Sequence, residues 1–505
     1  MRNPMLKSAG ILAFSGICAK SFDFAFRAMY SRQLGTEGMG LLSLGFGLHG
    51  VMLTVSTAGL GVAVSKVVSE YLEQKELDAV RQSMRLATWG VACLGLLVIF
   101  LTLVGAEWIG GRVLGDVRIS SGLCCLAPSV LFMGVSYCLK GYFYASRKVW
   151  IPASSEFLEQ AVKFVSISLL LRWFLSKGIA YGCAAVFAGI SIGEFSSCLY
   201  LTLFYLREKM HLVGGGEKAK VFLPLFQVAF PSMLTSLAGS SLRMQEEVWI
   251  VSALKRFGLS HAEAVSGLGV MHGMVMPMLV FPLTLLGSVT TLLVPEIARR
   301  NTVKDKMRLR RLVDKVYRLG LVVGVGVCLV FIFFAPELAE DIYKNTEIVP
   351  MVRSLAILSP VMFLDSLSCA ILNGLGKQFS LLAYHVSDSL LRLGSIFLLV
   401  PVFGIPALFV VLSLLKVMKA GKITPLVTLY AAFLGTMLMG AINVYVFLSP
   451  EKIASLILAG GILFTTSDLV LAYYNFGHTE QTKVKYIYMT TYYAAQILFA
   501  LTLLY

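Results

Sequence analysis

Lys20, Asp23 and Arg27 stand in the mostly apolar stretch GICAKSFDFAFRAMYSRQLG, residues 16–35, ahead of a fourth charge, Arg32, near its end. Lys20 and Arg27 are two helical turns apart on one face, and Asp23 lies about one turn from each. An ionised side chain at membrane depth costs at least about 2.5 kcal/mol unless it meets a partner or a watery cavity. The trio is therefore either an ion pair that pins its helix to a neighbour, or the lining of a cavity. In the second case the surplus positive charge would hold an anionic, phosphate-bearing headgroup, because a cation pair in a low-dielectric cleft attracts phosphate strongly. The pattern returns 223 positions later, where Lys20 aligns with Arg243, Asp23 with Glu246, Arg32 with Lys255, Gly35 with Gly258, His49 with His272 and Gly50 with Gly273. One offset serving all six pairs implies a parallel internal repeat.

Other charges in apolar runs are weaker candidates. Glu156, Glu159 and Lys163 fall one turn apart on one helix, a spacing that suits ion pairing better than substrate contact. Glu194, Asp365, Asp388 and Arg392 also fall in apolar runs; Asp388 and Arg392 have the spacing of an internal salt bridge, and any of the acids could carry a coupling proton or sodium ion. GISIG, residues 189–193, satisfies the serine-hydrolase pattern G-x-S-x-G, but it stands in an apolar span and not at a strand-to-helix elbow.

The elements that must position these groups are membrane helices. The chain has 505 residues, of which 57% are hydrophobic and 14% charged, with a mean hydropathy of +0.80. That composition excludes a soluble globular protein. Mostly apolar runs of about 20 residues recur from end to end and predict about 14 or 15 transmembrane helices in an all-α fold, each long enough to span except the run beginning at Phe403. The domain organisation expected is an N-lobe of six helices at 1–206, a cytoplasmic linker at 207–220, a C-lobe of six helices at 221–416 and a three-helix tail at 417–505. The two lobes would flank a central cavity holding Lys20, Asp23, Arg27, Arg243 and Glu246.

Loop charges set the orientation. With the N-terminus cytoplasmic, roughly 27 of the 43 basic residues fall on cytoplasmic segments and about 10 outside. The basic segment RRNTVKDKMRLRRLVDKVYR, residues 299–318, reads as a surface helix against the anionic inner leaflet, and as a topology anchor before a lipid-specific site. The basic N-terminal flank lacks a cleavage site, so the first apolar run reads as a retained helix. The nine cysteines are scattered, with no metal-ligand spacing or disulfide framework. Neither a P-loop nor a nucleic-acid motif occurs, so no cofactor, metal or nucleic-acid partner is expected.

SRQLGTEGMGLLSLGFGLHGVMLTVSTAGLGVAVSKVVSEYLEQKE after the first helix resembles the stage V sporulation protein B type of polysaccharide exporter, in the superfamily that also holds lipid II flippases and multidrug and toxin extrusion transporters. GYFYASRKVWIPASSEFLEQAVKF, MVMPMLVFPLTLLGSVTTLLVPEIARR and ILNGLGKQFSLLAY extend the resemblance over residues 1 to about 405. It implies an alternating-access carrier in a bacterial cell membrane. The cargo would be a lipid-linked oligosaccharide for cell-wall or sporulation use, on an undecaprenyl pyrophosphate carrier. In lipid II flippases basic residues of the central cavity hold the pyrophosphate, and Lys20, Arg27 and Arg243 are the nearest counterparts by position.

The end of the chain departs from that family. KITPLVTLYAAFLGTMLMGAI, AGGILFTTSDLVLAYYNFG and TTYYAAQILFALTLLY resemble the last three helices of the YhhN-type lysoplasmalogenases, and Ser467-Asp468 matches the Ser-Asp that carries one of that family's two proposed acids. The family's earlier helices, with a second acid in a Gly-Asp pattern, are missing; the Gly-Asp present, Gly115-Asp116, lies in a loop of the exporter portion. A seam is expected near 403–420, marking either a fusion with an inactive tail or a rearranged gene. Three functions follow as expectations: a lipid-linked oligosaccharide flippase, a cation-coupled multidrug exporter of the same fold, and a membrane lysoplasmalogenase acting through Asp468.

Overall fold

The computed structural model describes residues 4–209, 221–284, 306–376 and 482–501, with 293–294, 296–297, 392–394, 396–397, 400, 455–457, 459–464 and 467. Every regular element among these residues is a helix. Seven of the helices are long and apolar enough to cross a membrane, eight if the pair Thr346–Ala356 and Ser359–Gly374, bent by 56°, counts as one crossing. The fold is an all-α, polytopic membrane protein. Contacts divide it into two units, Met1–Leu393 and Gly394–Tyr505.

The first unit opens with α1 (Pro4–Thr57), whose backbone is non-helical at Gly35, φ 68°. A straight helix of that length would run about 80 Å against a hydrocarbon core of about 30 Å. Packing shows instead that the chain reverses at Gly35. Along α5 (Trp150–Phe174), Ser15, Phe26 and Met29 meet Glu156, Phe164 and Ser168 in rising order, so the first arm of α1 is parallel to α5. Along α4 (Ser120–Ala145), His49 meets Ser129 and Thr57 approaches Gly134, so the second arm is parallel to α4. Lys140 meets Glu156 across the short connection between α4 and α5, which makes those two antiparallel, and hence the two arms as well.

The second arm breaks at Ala58 and Gly59, both in the left-handed region, before α2 (Leu60–Glu73). A Cβ at Gly59 would strike the carbonyl of Ala229. Next come α3 (Leu77–Trp108), α4, α5, α6 (Ile179–Lys209) and α7 (Phe222–Phe257). α5 is long enough to cross but carries Glu156, Glu159, Lys163 and Arg172. α8 (His261–Leu268) starts in a capping box formed by Ser260 and Glu263, and continues through a wide turn at Gly269–Val275 to residue 284. Gly35 and Gly258, one of the repeat pairs, both take positive φ, 68° and 112°, where the first arm and α7 end. One core cluster joins α2, α3, α4, α6 and α7 around Val64, Met84, Tyr142 and Leu225.

Residues 306–318 are the opening turns of α9 (Lys306–Phe333) and not a separate surface helix. Their apolar side, Leu309, Leu312, Val313, Val316 and Tyr317, packs on Leu367 and Ile371, while Arg311, Asp314, Lys315 and Arg318 are exposed. α10 (Val349–Ala356) and α11 (Ser359–Gly374) follow. In the second unit α12 (Thr482–Leu501) buries Ala495, and its Tyr492 ring lies 5.7 Å from that of Phe464.

Candidate functional site

The five charged residues expected at the site are placed differently from one another. Lys20 and Arg243 are exposed, Asp23 and Arg27 half-buried, and Glu246 buried. Arg27 points into the bundle: its guanidinium lies 5.8 Å from the centre of the Phe46 ring, and its electrostatic neighbours are Tyr30, Asp23 and Tyr343. Tyr343 is itself buried and donates to the Met274 carbonyl at 2.9 Å. Glu246 meets Arg392 Nε at 3.6 Å, while its neighbour Glu247 is 3.7 Å from His272 Nδ1 and presses against Gly47. Asp388, the partner that spacing suggests for Arg392, lies outside the described residues. Among the described residues neither Lys20, Arg27 nor Arg243 is in an ion pair.

Two half-buried cations of the neighbouring helices, Lys140 and Lys163, are neutralised. Lys163 Nζ lies 3.0 Å from Glu159 and 3.8 Å from Glu194, and Lys140 lies 3.4 Å from Glu156. Glu194 reaches Lys163 because α5 and α6 approach closely at two glycines: a Cβ at Gly189 would collide with Ile167, and one at Gly193 would crowd Lys163. These glycines are the ends of GISIG, so the motif that formally reads as a nucleophile elbow is a small-residue helix contact. Ser191 inside it donates to the Cys125 carbonyl at 2.6 Å.

Tyr30, Phe46 and Tyr343 around Arg27 escape sequence reasoning, as does Lys140. An aromatic residue in an apolar run carries no mark of which helix it will face. Asp365 is described and engaged; Asp468 is outside the described residues, and its neighbour Ser467 is buried. Among the described residues no group of three His, Cys, Asp or Glu could hold a metal ion.

The chain is similar to stage V sporulation protein B of Bacillus subtilis (strain 168), 24% identical over 441 residues that make up 84% of this chain and 85% of that protein. The lipid II flippase MurJ of the same strain is 21% identical over 405 residues, 75% and 74% of the two chains. The inward-facing structure of a multidrug resistance MATE family transporter of the MOP superfamily shares the fold, with a TM-score of 0.64 at 14% identity, covering 85% of this chain and 99% of that one. A MOP superfamily transporter from Pyrococcus furiosus gives 0.58 at 13% identity, covering 86% and 96%. The YhhN family matches residues 379–503, a segment that starts before the expected tail and so takes in Asp388 as well as Asp468. The polysaccharide biosynthesis protein family matches residues 5–301. These similarities make the chain a multi-pass membrane transporter. With well over half of its residues inside that last match, it belongs to the polysaccharide biosynthesis protein family.

Proposed function

We propose that the protein flips a lipid-linked oligosaccharide, of the undecaprenyl pyrophosphate type, from the inner to the outer leaflet of a bacterial cell membrane. The N-terminus is cytoplasmic, and lobes 1–206 and 221–416 rock against each other around a central cavity, with 417–505 appended. Lys20, Arg27 and Arg243 engage the diphosphate, and Asp23 and Glu246 orient them. A proton or sodium ion supplies the coupling, and the basic opening of α9 rests on anionic inner-leaflet lipid. The observation that carries this reading is the contrast in pairing: Lys140 and Lys163 are matched by carboxylates, while Lys20, Arg27 and Arg243 are in no ion pair among the described residues. Cations in apolar helices that make no close ion pair are retained where an anionic ligand completes them.

Native mass spectrometry of the purified protein with an undecaprenyl diphosphate lipid tests the cargo class and separates it from the drug-exporter reading. Retention of the diphosphate lipid, undiminished by an excess of a lipophilic organic cation, is expected. Displacement by the cation would favour a multidrug exporter.

The YhhN match supports a second reading, vinyl-ether hydrolysis, which needs one positioned acid to protonate the double bond and a second group to accept a proton from water. Within 417–505 Asp468 is the acid in an apolar run, Glu451 and Glu480 lying in the flanking polar stretches, so Asp388 would have to be the second. No aldehyde release is expected when purified protein is incubated with a lysoplasmalogen. Turnover that disappears in Asp388→Asn and Asp468→Asn would make the protein bifunctional.

A further inference from the structure

Three connections far apart in sequence meet at the end of the bundle away from the N-terminus. Glu37 lies just past the Gly35 reversal, Asp116 and Arg118 sit between α3 and α4, and His261 opens α8. The Asp116 carboxylate is buried, 5% exposed, and accepts from the Arg118 backbone N–H at 3.0 Å, from Arg118 Nε at 3.0 and 3.1 Å and from Nη2 at 2.7 Å. Arg118 Nη1 reaches Glu37 at 2.7 Å. Across the gap, His261 Nε2 lies 2.9 Å from Asp116 Oδ2. A carboxylate offers no hydrogen to the ring, so Nε2 is the donor. Burial pushes the Asp116 carboxyl up, but the hydrogen bonds from Arg118 and His261 outweigh it and hold the group below the ordinary carboxylate range.

The same end is closed by backbone. Ser266 donates to Thr36 Oγ1 at 2.6 Å, a Cβ at Gly269 would strike the Thr36 carbonyl, and one at Gly40 would strike that of Val265. Arg32 binds the carbonyls of Asp341 and Ile342. Residues 36–40 and 116–118 belong to the first six helices, whereas 261–269 and 341–342 come after α7, so these contacts tie the chain before α7 to the chain beyond it.

The two sides of the Asp116 contact are unequal. Were His261 to leave, Asp116 would keep Arg118, and Arg118 would keep Glu37, all on one side; no buried carboxylate would be stranded. His261 would give up a single charge-assisted bond.

We propose that Asp116 and His261 form the latch of the gate at this end: their contact holds it shut in the conformation seen here, and breaking it is a required step of opening. The proposal rests on the alternating-access reading.

The test uses full-length protein in detergent, in a background with its nine cysteines replaced. Val265→Cys reports opening, because Val265 is fully buried against Gly40. Spin labels at Gln74→Cys and Met307→Cys, both exposed at the opposite end, report closure there. His261→Ala removes the crossing bond and leaves Asp116, Arg118 and Glu37 intact. Maleimide labelling of Val265→Cys is expected to rise about tenfold, the equivalent of one hydrogen bond to a charged group. Bridging Asp116→Cys to His261→Cys with a short bis-methanethiosulfonate reagent, each thiol forming a disulfide and expelling methanesulfinate, is expected to bring labelling down to background. A parent-like labelling rate in His261→Ala protein that melts like its parent, or undiminished labelling after bridging, overturns the latch. A rise in labelling with no shortening of the spin-label distance supports the latch and contradicts alternating access instead.

Discussion

Arg27→Glu is expected to reduce flipping to the background of empty vesicles while membrane insertion and yield stay at the parent level. Arg27 is held among Tyr30, Tyr343 and the face of Phe46, with Asp23 one turn away. A glutamate there gives up the cation–π contact, sets two acids one turn apart and repels a diphosphate where the parent attracts it. Arg27→Lys keeps the charge but loses the planar fork that matches phosphate oxygens, so an intermediate rate is expected. The readout is accessibility of a lipid-linked oligosaccharide to an outside probe. Parent-like flipping by Arg27→Glu would remove the headgroup role from this residue.

Lys163→Met is expected to lower stability by about 3–5 kcal/mol, the usual result of removing one member of a buried pair. Lys163 is the cation between Glu159 and Glu194, both more than nine-tenths buried. Methionine fills the space but leaves two carboxylates facing each other on helices that Gly189 and Gly193 hold in close contact. The change is read as an early thermal melt in detergent. Adding Glu159→Gln and Glu194→Gln to the same chain is expected to recover most of the loss, because amides carry no charge to strand. An unchanged melt for Lys163→Met would show that the triad does not support the fold.

Local signals were legible in the sequence, and contacts between distant helices were not. The pairing of Gly35 with Gly258 marks the ends of two corresponding helices, and both residues take the left-handed backbone that glycine enters without steric cost. The Glu159–Lys163 pair follows from a spacing of one turn. Glu194 and Lys140 enter the same network from other helices, and helix packing decides that, beyond the reach of spacing. Residues 299–318 were readable as basic and amphipathic, yet composition could not reveal that 306–318 continue into a spanning helix. Gly115-Asp116 carries no local sign of its role in the sequence, because its partner His261 is 145 positions away. Gly269–Val275, where the helix widens beside the Tyr343 hydroxyl, had no signature either.

The most direct measurement reconstitutes the purified protein in vesicles whose inner leaflet carries an undecaprenyl diphosphate oligosaccharide, and tracks its exposure to an outside lectin or glycosidase. Exposure above protein-free vesicles, lost with Arg27→Glu and retained with Asp468→Asn, is the result expected of a flippase whose cationic cavity holds the diphosphate. Exposure equal to that of protein-free vesicles, from protein that melts cooperatively and across ion gradients of either sign, would contradict it.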